Sequence, residues 1–203
     1  MLKTFSESRC AGILITIGGT VFLSCENKTV GAVLFSVALL CICYKSYYLF
    51  TGKIGYIVEQ HKKQDFLNLA VGLFGNLIAT FLLGMLLRTV LPNIGEKAAE
   101  MCSAKLAQFP LYTFIRGFFC GILMYLAVSI YKEKNSVLGI LFCVPVFILC
   151  GFEHSIADMF YLGASGIFSV KIILFTALVV AGNTFGAMVL PLLKGVHTDE
   201  KQG

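Results

Sequence analysis

The sequence predicts an all-α integral membrane protein of six transmembrane helices, in which the second and fifth helices are broken. Of the 203 residues, 58% are hydrophobic and 13% are charged, and the mean hydropathy of +0.86 is far above that of a soluble domain. Polar residues interrupt two of the apolar stretches, and short motifs recur in the two halves of the chain. A spanning helix takes about 20 residues, so we predict a single transmembrane domain over residues 1–203.

Apolar runs separated by short polar segments define the predicted spans. In chain order they cover about 11–25, 30–58, 66–87, 109–131, 137–166 and 167–193. The longest polar connection lies between the third and fourth spans, at residues 88–108, and a polar tail begins at residue 194. No small-residue cleavage site follows the first run, so we expect a retained helix rather than a signal peptide.

The second span is predicted to break near mid-membrane. Residues 44–55 are aromatic, charged and glycine-bearing, a composition that does not suit a continuous spanning helix. Non-helical backbone at that depth survives only where it lines a cavity or is buried in protein. We therefore expect a short second half that ends near residue 58, followed by a polar loop at 59–65.

The fifth span carries the candidate functional site. Its residues 151–160 include Glu153, His154 and Asp158 within an otherwise apolar region. Ionisable groups in hydrocarbon cost several kcal/mol each unless they face a cavity or a partner. This stretch is therefore the first place to look for a solute pathway or a reaction.

An internal repeat relates the two halves. Gly75-Asn76 recurs 107 residues later as Gly182-Asn183, and residues 34–37 (LFSV) recur at the same offset as residues 141–144 (LFCV). Each half contains three spans, so the halves must have opposite orientations, and each has a broken middle helix. Inverted repeats with discontinuous helices are typical of transporters and channels, whose site lies at the midplane. Residues 49–52 and 152–158 are thus predicted to meet.

The distribution of charge favours both termini on the cytoplasmic side of a multi-pass membrane protein. The predicted inner segments carry Lys3, Arg9, Lys62, Lys63, Lys132, Lys134, Lys194 and Lys201, whereas the outer ones carry Lys28, Arg88, Lys97 and Lys105. The net charge of +5 is modest and lies at helix ends, so no nucleic-acid surface is predicted. The eight cysteines mostly lie in apolar spans, and we interpret them as small buried side chains in a reducing compartment.

The chain resembles the formate/nitrite transporters, the pentameric small-anion channels that also include hydrosulfide channels. The resemblance covers nearly the whole chain and rests on residues 49–52 (LFTG), 75–76 (GN), 151–160 (GFEHSIADMF) and 182–183 (GN) followed by Gly186. It implies an aquaporin-like protomer with one pore, a homopentamer in the cytoplasmic membrane, and small monovalent anions and protons as partners. It implies neither enzyme activity nor a cofactor.

The resemblance also implies roles for individual residues. His154 at the centre would face Thr51 from the break of the second helix, and apolar side chains would narrow the pore on either side. Asparagines would hold the broken backbones. The residues concerned are Leu39, Phe50 and Phe147 for the constrictions and Asn76 and Asn183 for the breaks. The chain departs from the family at Asp158, where asparagine is usual, and charge so close to the histidine should influence which anion is accepted.

Electrostatics suggests how such a site works. A small anion cannot cross a dry apolar constriction as a bare charge. His154 would relieve this cost with a proton or a charge-assisted hydrogen bond, and Thr51 would offer a hydroxyl. Asp158 lies four residues after His154 and would share its helix face. There it would favour the imidazolium, unless it bonds to backbone or to a neighbouring protomer.

Two further ionisable residues remain to be assigned from the sequence. Glu153 is predicted to be structural and to hydrogen-bond the opposing break, in preference to a proton relay. Lys45 is either an anion-attracting residue of a vestibule or a stem that reaches the membrane interface.

Three functions are compatible with these residues. The leading hypothesis is a passive or proton-linked channel for formate, nitrite or hydrosulfide. The first alternative is an aquaporin-like channel for neutral solutes, although the Asn-Pro-Ala motifs of aquaporins are absent. The second is a membrane-embedded metalloenzyme with Glu153, His154 and Asp158 as metal ligands, although the other histidines, His61 and His197, lie in polar ends.

Overall fold

The computed structural model describes residues 1–59 and 61–199, with side chains up to residue 195. Part of the predicted polar tail, including Lys201 and the side chain of His197, therefore lies outside the described residues. Helices make up the described chain, and no strand occurs in it. In order they are α1 Leu2–Ser24, α2 Lys28–Tyr44, α3 Phe50–Lys53, a 3-10 helix Ile54–Val58, α4 Lys63–Val90, α5 Pro92–Leu106, α6 Pro110–Lys134, α7 Leu138–Leu149, α8 Ser155–Ser165 and α9 Lys171–Asp199.

Both predicted breaks are present. The helix that begins as α2 stops at Tyr44 and resumes as α3 after the non-helical residues 45–49. The helix that begins as α7 stops at Leu149 and resumes as α8 after residues 150–154. Each break contains a residue with positive φ, Ser46 at 56° and Gly151 at 67°. A left-handed residue ends a helix because it turns the chain away from the helix axis.

The helices suit a multi-pass membrane protein. Within the described chain, α4, α6 and the Lys171–Gly195 part of α9 are each long and apolar enough to cross a membrane. The first halves of the broken helices, α2 and α7, are shorter apolar helices. The first helix begins at Leu2, earlier than the apolar run predicts, because its polar N-terminal residues also pack inside: Thr4 and Ser8 are buried.

Residues 88–108, predicted as a polar connection, instead contain a 15-residue helix, α5. Pro92 at its first position is a usual helix start, since the missing N–H needs no partner there. The buried residues Ile94, Ala98 and Cys102 recur every four residues and form one apolar face. This face packs on α8, and Lys105 at the end of the helix is thereby carried to the fifth-helix break.

The long helices α6 and α9 approach one another closely at glycines. A Cβ atom added at Gly186 would overlap the carbonyl group of Phe118, and one added at Gly121 would overlap that of Asn183. Such small residues let helix backbones approach and pack in a membrane. The contact matters for the site because α9 carries Asn183 and α6 presents the carbonyl of Gly117 to it.

We expect Gly186→Ala to destabilise the protein by about 1–3 kcal/mol, because the overlap is with backbone and α6 must move away. Gly195→Ala is the matched control on the same helix, since a Cβ there meets no atom of the described residues within 4 Å. Thermal unfolding in detergent should show a lower midpoint for Gly186→Ala alone. Equal midpoints for the two variants would contradict the close approach.

Candidate functional site

A buried asparagine, Asn76 of α4, holds the first break. Its Oδ1 accepts a hydrogen bond from the backbone N–H of Phe50 (2.9 Å). Its Nδ2 donates to the carbonyl of Tyr48 (2.9 Å) and to that of Ser8 (2.7 Å). One side chain thereby satisfies backbone groups on both sides of the start of α3, which a broken helix leaves without partners.

Asn183 of α9 makes the matching set of bonds at the second break. Its Oδ1 accepts from the N–H of Ser155 (2.9 Å), and its Nδ2 donates to the carbonyls of Glu153 and Gly117 (both 2.8 Å). It is fully buried, as is Asn76. The asparagines of the repeated Gly-Asn motif therefore occupy equivalent positions, one at each break.

The residues next to these anchored positions meet at the centre. Thr51 follows the anchored Phe50, and His154 precedes the anchored Ser155. Thr51 Oγ1 lies 2.9 Å from His154 Nε2, and the two residues are only 1% and 2% exposed. The breaks thus bring together two residues 103 positions apart in the sequence.

The hydrogen bonds around His154 assign its tautomer. His154 is the N-cap of α8, and its Nδ1 accepts from the backbone N–H of Ala157 (3.1 Å). A backbone N–H can only donate, so Nδ1 carries no proton. The ring is therefore neutral, with its proton on Nε2, and it donates to the hydroxyl of Thr51. An imidazolium would place two donors against each other at Ala157.

Apolar side chains surround this pair. The ring of Phe147 stacks on that of His154 with centroids 5.5 Å apart and an interplanar angle of 20°. Phe35 packs edge-on against Phe147 at 6.3 Å. Leu39 is buried and lines a cavity next to the pair, whereas Phe50 packs away from that cavity in a cluster with Ile54, Ile57, Leu69, Tyr125 and Ala187. Sequence reasoning missed Phe35, although it lies in the repeated LFSV motif.

One cavity, which we call the Lys53 vestibule, lies on the α2–α3 side of the pair. Its volume is about 110 Å³. Leu39 and Leu49 contribute its apolar wall, and Lys53 and Lys132 contribute its positive charge. Lys45, the lysine that the sequence analysis considered for a vestibule, is exposed at the end of α2 and does not contribute to this lining.

A second cavity of about 450 Å³, the Lys105 vestibule, lies on the α5–α8 side. Lys105 forms ion pairs with the carboxylate of Glu153 and with Asp158 Oδ1, the latter at 3.0 Å. Gln108 Nε2 donates to Glu153 Oε1 (2.8 Å). Arg116 lines the same cavity but is exposed and forms no ion pair within the described chain.

The partners of both acidic residues differ from the sequence-based interpretations. The side chain of Glu153 bonds α5 and the residues after it, not the opposing break, and Asp158 pairs with Lys105 rather than with His154. Lys105 was not recognised as a site residue because its helix was not predicted. Burial alone acts to lower the pKa of Lys105, but the carboxylates of Asp158 and Glu153 outweigh it and raise the pKa, so Lys105 stays charged at physiological pH.

This ion-pair network bears on the metal hypothesis. Glu153 and Asp158, two of the three suggested ligands, already bind an ammonium, and both nitrogens of His154 have hydrogen-bond partners. The described residues contain no group of three or more histidine, cysteine, aspartate or glutamate side chains arranged to hold a metal ion. The chemistry of these side chains therefore fits a cluster of ion pairs rather than a metal site.

Comparison with solved structures finds the same fold in two channels. One is described as a pentameric formate channel with formate bound; it has a TM-score of 0.80 and 24% identity, over 97% of this chain and 96% of that one. The other is described as an FNT family ion channel, with a TM-score of 0.76 and 20% identity, over 97% of this chain and 88% of that one.

Comparison with curated proteins gives no match. The sequence model of the formate/nitrite transporter family, by contrast, matches residues 1–194, nearly the whole chain. Members of that family are transporters and channels of the membrane, which agrees with the apolar helices and the two breaks described above. The chain therefore belongs to the formate/nitrite transporter family.

Proposed function

We propose that this chain forms a pore for the small anions of weak acids, of the formate, nitrite or hydrosulfide class. The solute passes His154 and Thr51 at the centre, between apolar constrictions that include Phe147 and Leu39. The buried contact between Thr51 Oγ1 and His154 Nε2 carries the proposal. It supplies hydrogen-bonding groups at the point where the two breaks meet, with a cavity on either side.

Positive charge at the Lys53 vestibule supports an anionic solute. Lys53 and Lys132 line it without a carboxylate, whereas Lys105 and Arg116 line the other vestibule beside Glu153 and Asp158. A cleft lined by one sign of charge raises the local concentration of the opposite ion. The N-terminus of α8, whose partial positive charge lies next to His154, offsets part of the cost of negative charge near the centre.

The centre of the path favours a solute that is neutral or strongly hydrogen-bonded. Phe147 stacks on His154 and Phe35 packs against Phe147, and a bare anion loses its hydration at high cost in such apolar surroundings. The neutral His154 offers one N–H, and giving it up would leave an imidazolate. His154 and Thr51 therefore act as hydrogen-bond partners of the solute, and the proton of a neutral acid comes from elsewhere on the path.

The proposed assembly is a homopentamer in the lipid bilayer, with one pore in each protomer. The structural relative with formate bound is described as pentameric. Large apolar side chains are exposed on several helices, including Phe74, Phe142 and Phe185, and such surfaces suit lipid and neighbouring protomers. We place the protein in the cytoplasmic membrane with both termini inside, as the distribution of basic residues predicts.

Flux into liposomes tests this function. The purified protein is reconstituted, and uptake of formate, nitrite and hydrosulfide is measured over a range of pH. Thr51→Val removes the hydroxyl while keeping the shape, and we expect it to reduce uptake roughly 2- to 10-fold, since a hydrogen bond to a neutral group contributes about 0.5–1.5 kcal/mol. Thr51→Ser is the matched control and should retain most of the uptake.

A second variant separates the role of His154 in the pore from its role as a helix cap. His154→Asn keeps a side chain that can cap α8 and removes the imidazole. We expect a folded protein with altered selectivity among the three anions. If the wild-type protein passes water or glycerol but none of the anions at any pH, the proposed function is wrong.

A further inference from the structure

Asp158 has one carboxylate oxygen that the structure leaves without a partner. The residue is 4% exposed and lines the Lys105 vestibule. Its Oδ1 is paired with Lys105, whereas no hydrogen-bond partner within the described residues reaches Oδ2. A buried carboxylate oxygen without a donor is costly, so it points to a group that is absent or to a proton.

The charges of the cluster favour a proton. Lys105 contributes one positive charge and must balance two carboxylates, Glu153 and Asp158. With both ionised, the buried cluster has one excess negative charge, which is unfavourable in low dielectric. Lys105 Nζ binds a carboxylate oxygen of each residue, so the two carboxyl groups lie beside one shared cation. Two carboxyl groups that share a site in this way take up a proton as one unit.

Within this pair, Asp158 is the better carrier of the proton. Both oxygens of Glu153 already accept hydrogen bonds, from Lys105 and Gln108. Of the four carboxylate oxygens, Oδ2 of Asp158 is therefore the one that is left to carry the proton. The charged and titratable groups that face Asp158 are Lys105 and Cys102 of α5, Glu153 of the break, Arg116 and Cys120 of α6, and Tyr161 of α8.

We propose that the cluster of Lys105, Glu153 and Asp158 stores one proton and that Asp158 transfers it to the permeating anion in the Lys105 vestibule. The anion is drawn in by Lys105 and approaches a cluster that the proton has made neutral overall. This inference rests on the proposed function, since it assigns the source of the proton for the same pathway.

The transfer conserves atoms and charge. The O–H bond of Asp158 breaks, and a new bond to hydrogen forms on the anion, at oxygen for formate or nitrite and at sulfur for hydrosulfide. The electron pair stays on the carboxylate of Asp158, which Lys105 stabilises at 3.0 Å. The neutral acid then passes Phe147 and His154 and loses its proton to water beyond them, while water in the Lys105 vestibule returns a proton to Asp158.

The variant Asp158→Asn keeps the shape of the side chain and removes the titrating group. In liposomes we expect its formate uptake to fall about tenfold or more at pH 7, because a positioned proton donor contributes about 10²- to 10⁴-fold and water replaces it in part. Near pH 5, where the medium itself supplies formic acid, uptake by the variant and by the wild type should converge. Asp158→Glu restores a carboxyl group and should recover part of the uptake at pH 7.

The outcomes distinguish this inference from the proposed function. If the wild type takes up none of the anions, the proposed function fails. If the wild type takes up formate and Asp158→Asn shows the same pH profile, the function stands and the inference fails. Infrared spectroscopy of the wild type tests the inference even if the Asp158→Asn variant does not fold. We expect a band from a protonated carboxyl group at neutral pH that shifts in Asp158→Glu, and a wild-type spectrum without this band would overturn the inference.

Discussion

Replacing Asn183 by Leu is expected to destabilise the protein by about 3 kcal/mol or more and to abolish anion uptake. The substitution keeps a side chain of similar size but leaves the N–H of Ser155 and the carbonyl of Glu153 without partners, and it removes the link to the carbonyl of Gly117 in α6. The first two groups lie at the buried start of α8. Because that start also places His154, loss of stability and loss of uptake should occur together. Thermal unfolding in detergent and uptake in liposomes measure the two effects.

Thr184→Val is the matched control for this prediction. Thr184 is the next residue of α9, and its hydroxyl donates within the helix to the carbonyl of Val180 (2.8 Å). Its loss leaves that carbonyl with its backbone bond, so a change of only a few tenths of a kcal/mol is expected. If Asn183→Leu unfolds at the same temperature as Thr184→Val, the asparagine does not hold the break.

The features that the sequence predicts are those that depend on residues close together in the chain. The breaks follow from polar and glycine residues inside apolar runs, and the repeated Gly-Asn motif points to an equivalent anchor at each break. The inverted repeat predicted that residues 49–52 and 152–158 meet, and the family resemblance named Thr51 and His154 within them. The structure places Thr51 Oγ1 2.9 Å from His154 Nε2, since two broken helices packed around one centre leave few places for the residues of each break.

The features that the sequence analysis missed depend on contacts with residues of another helix. The apolar face of α5 is narrow and its other face is charged, so residues 88–108 were interpreted as a polar connection. Pro92 was the one signal in this segment that indicated the start of a helix. Without α5 there was no cation to pair with Glu153 and Asp158, so Glu153 was assigned to the opposing break and Asp158 to His154. Lys53 and Lys132 were missed for the same reason, since only packing shows which lysines turn toward a cavity.

Lys105→Met should eliminate uptake at neutral pH and destabilise the protein by about 3–5 kcal/mol. Methionine replaces the stem of the side chain but not its ammonium. Glu153 and Asp158, which are 1% and 4% exposed, then lose their shared cation. A carboxylate in the vestibule that has lost its cation also repels the anion that Lys105 attracts. Unfolding and uptake are measured as for Asn183.

The pH and a second substitution show whether the unpaired carboxylates cause this loss. A protonated carboxyl group needs no cation, so the stability deficit of Lys105→Met should shrink as the pH is lowered. Adding Asp158→Asn removes one of the two carboxyl groups that have lost this cation, and the double variant should therefore be more stable than Lys105→Met alone. A double-mutant cycle gives the coupling energy, which for residues in one ion-pair network is about 0.5–3 kcal/mol. A Lys105→Met deficit that is the same at every pH and in both backgrounds would contradict the prediction, because it would show that unpaired negative charge in the cluster does not cause the loss of stability.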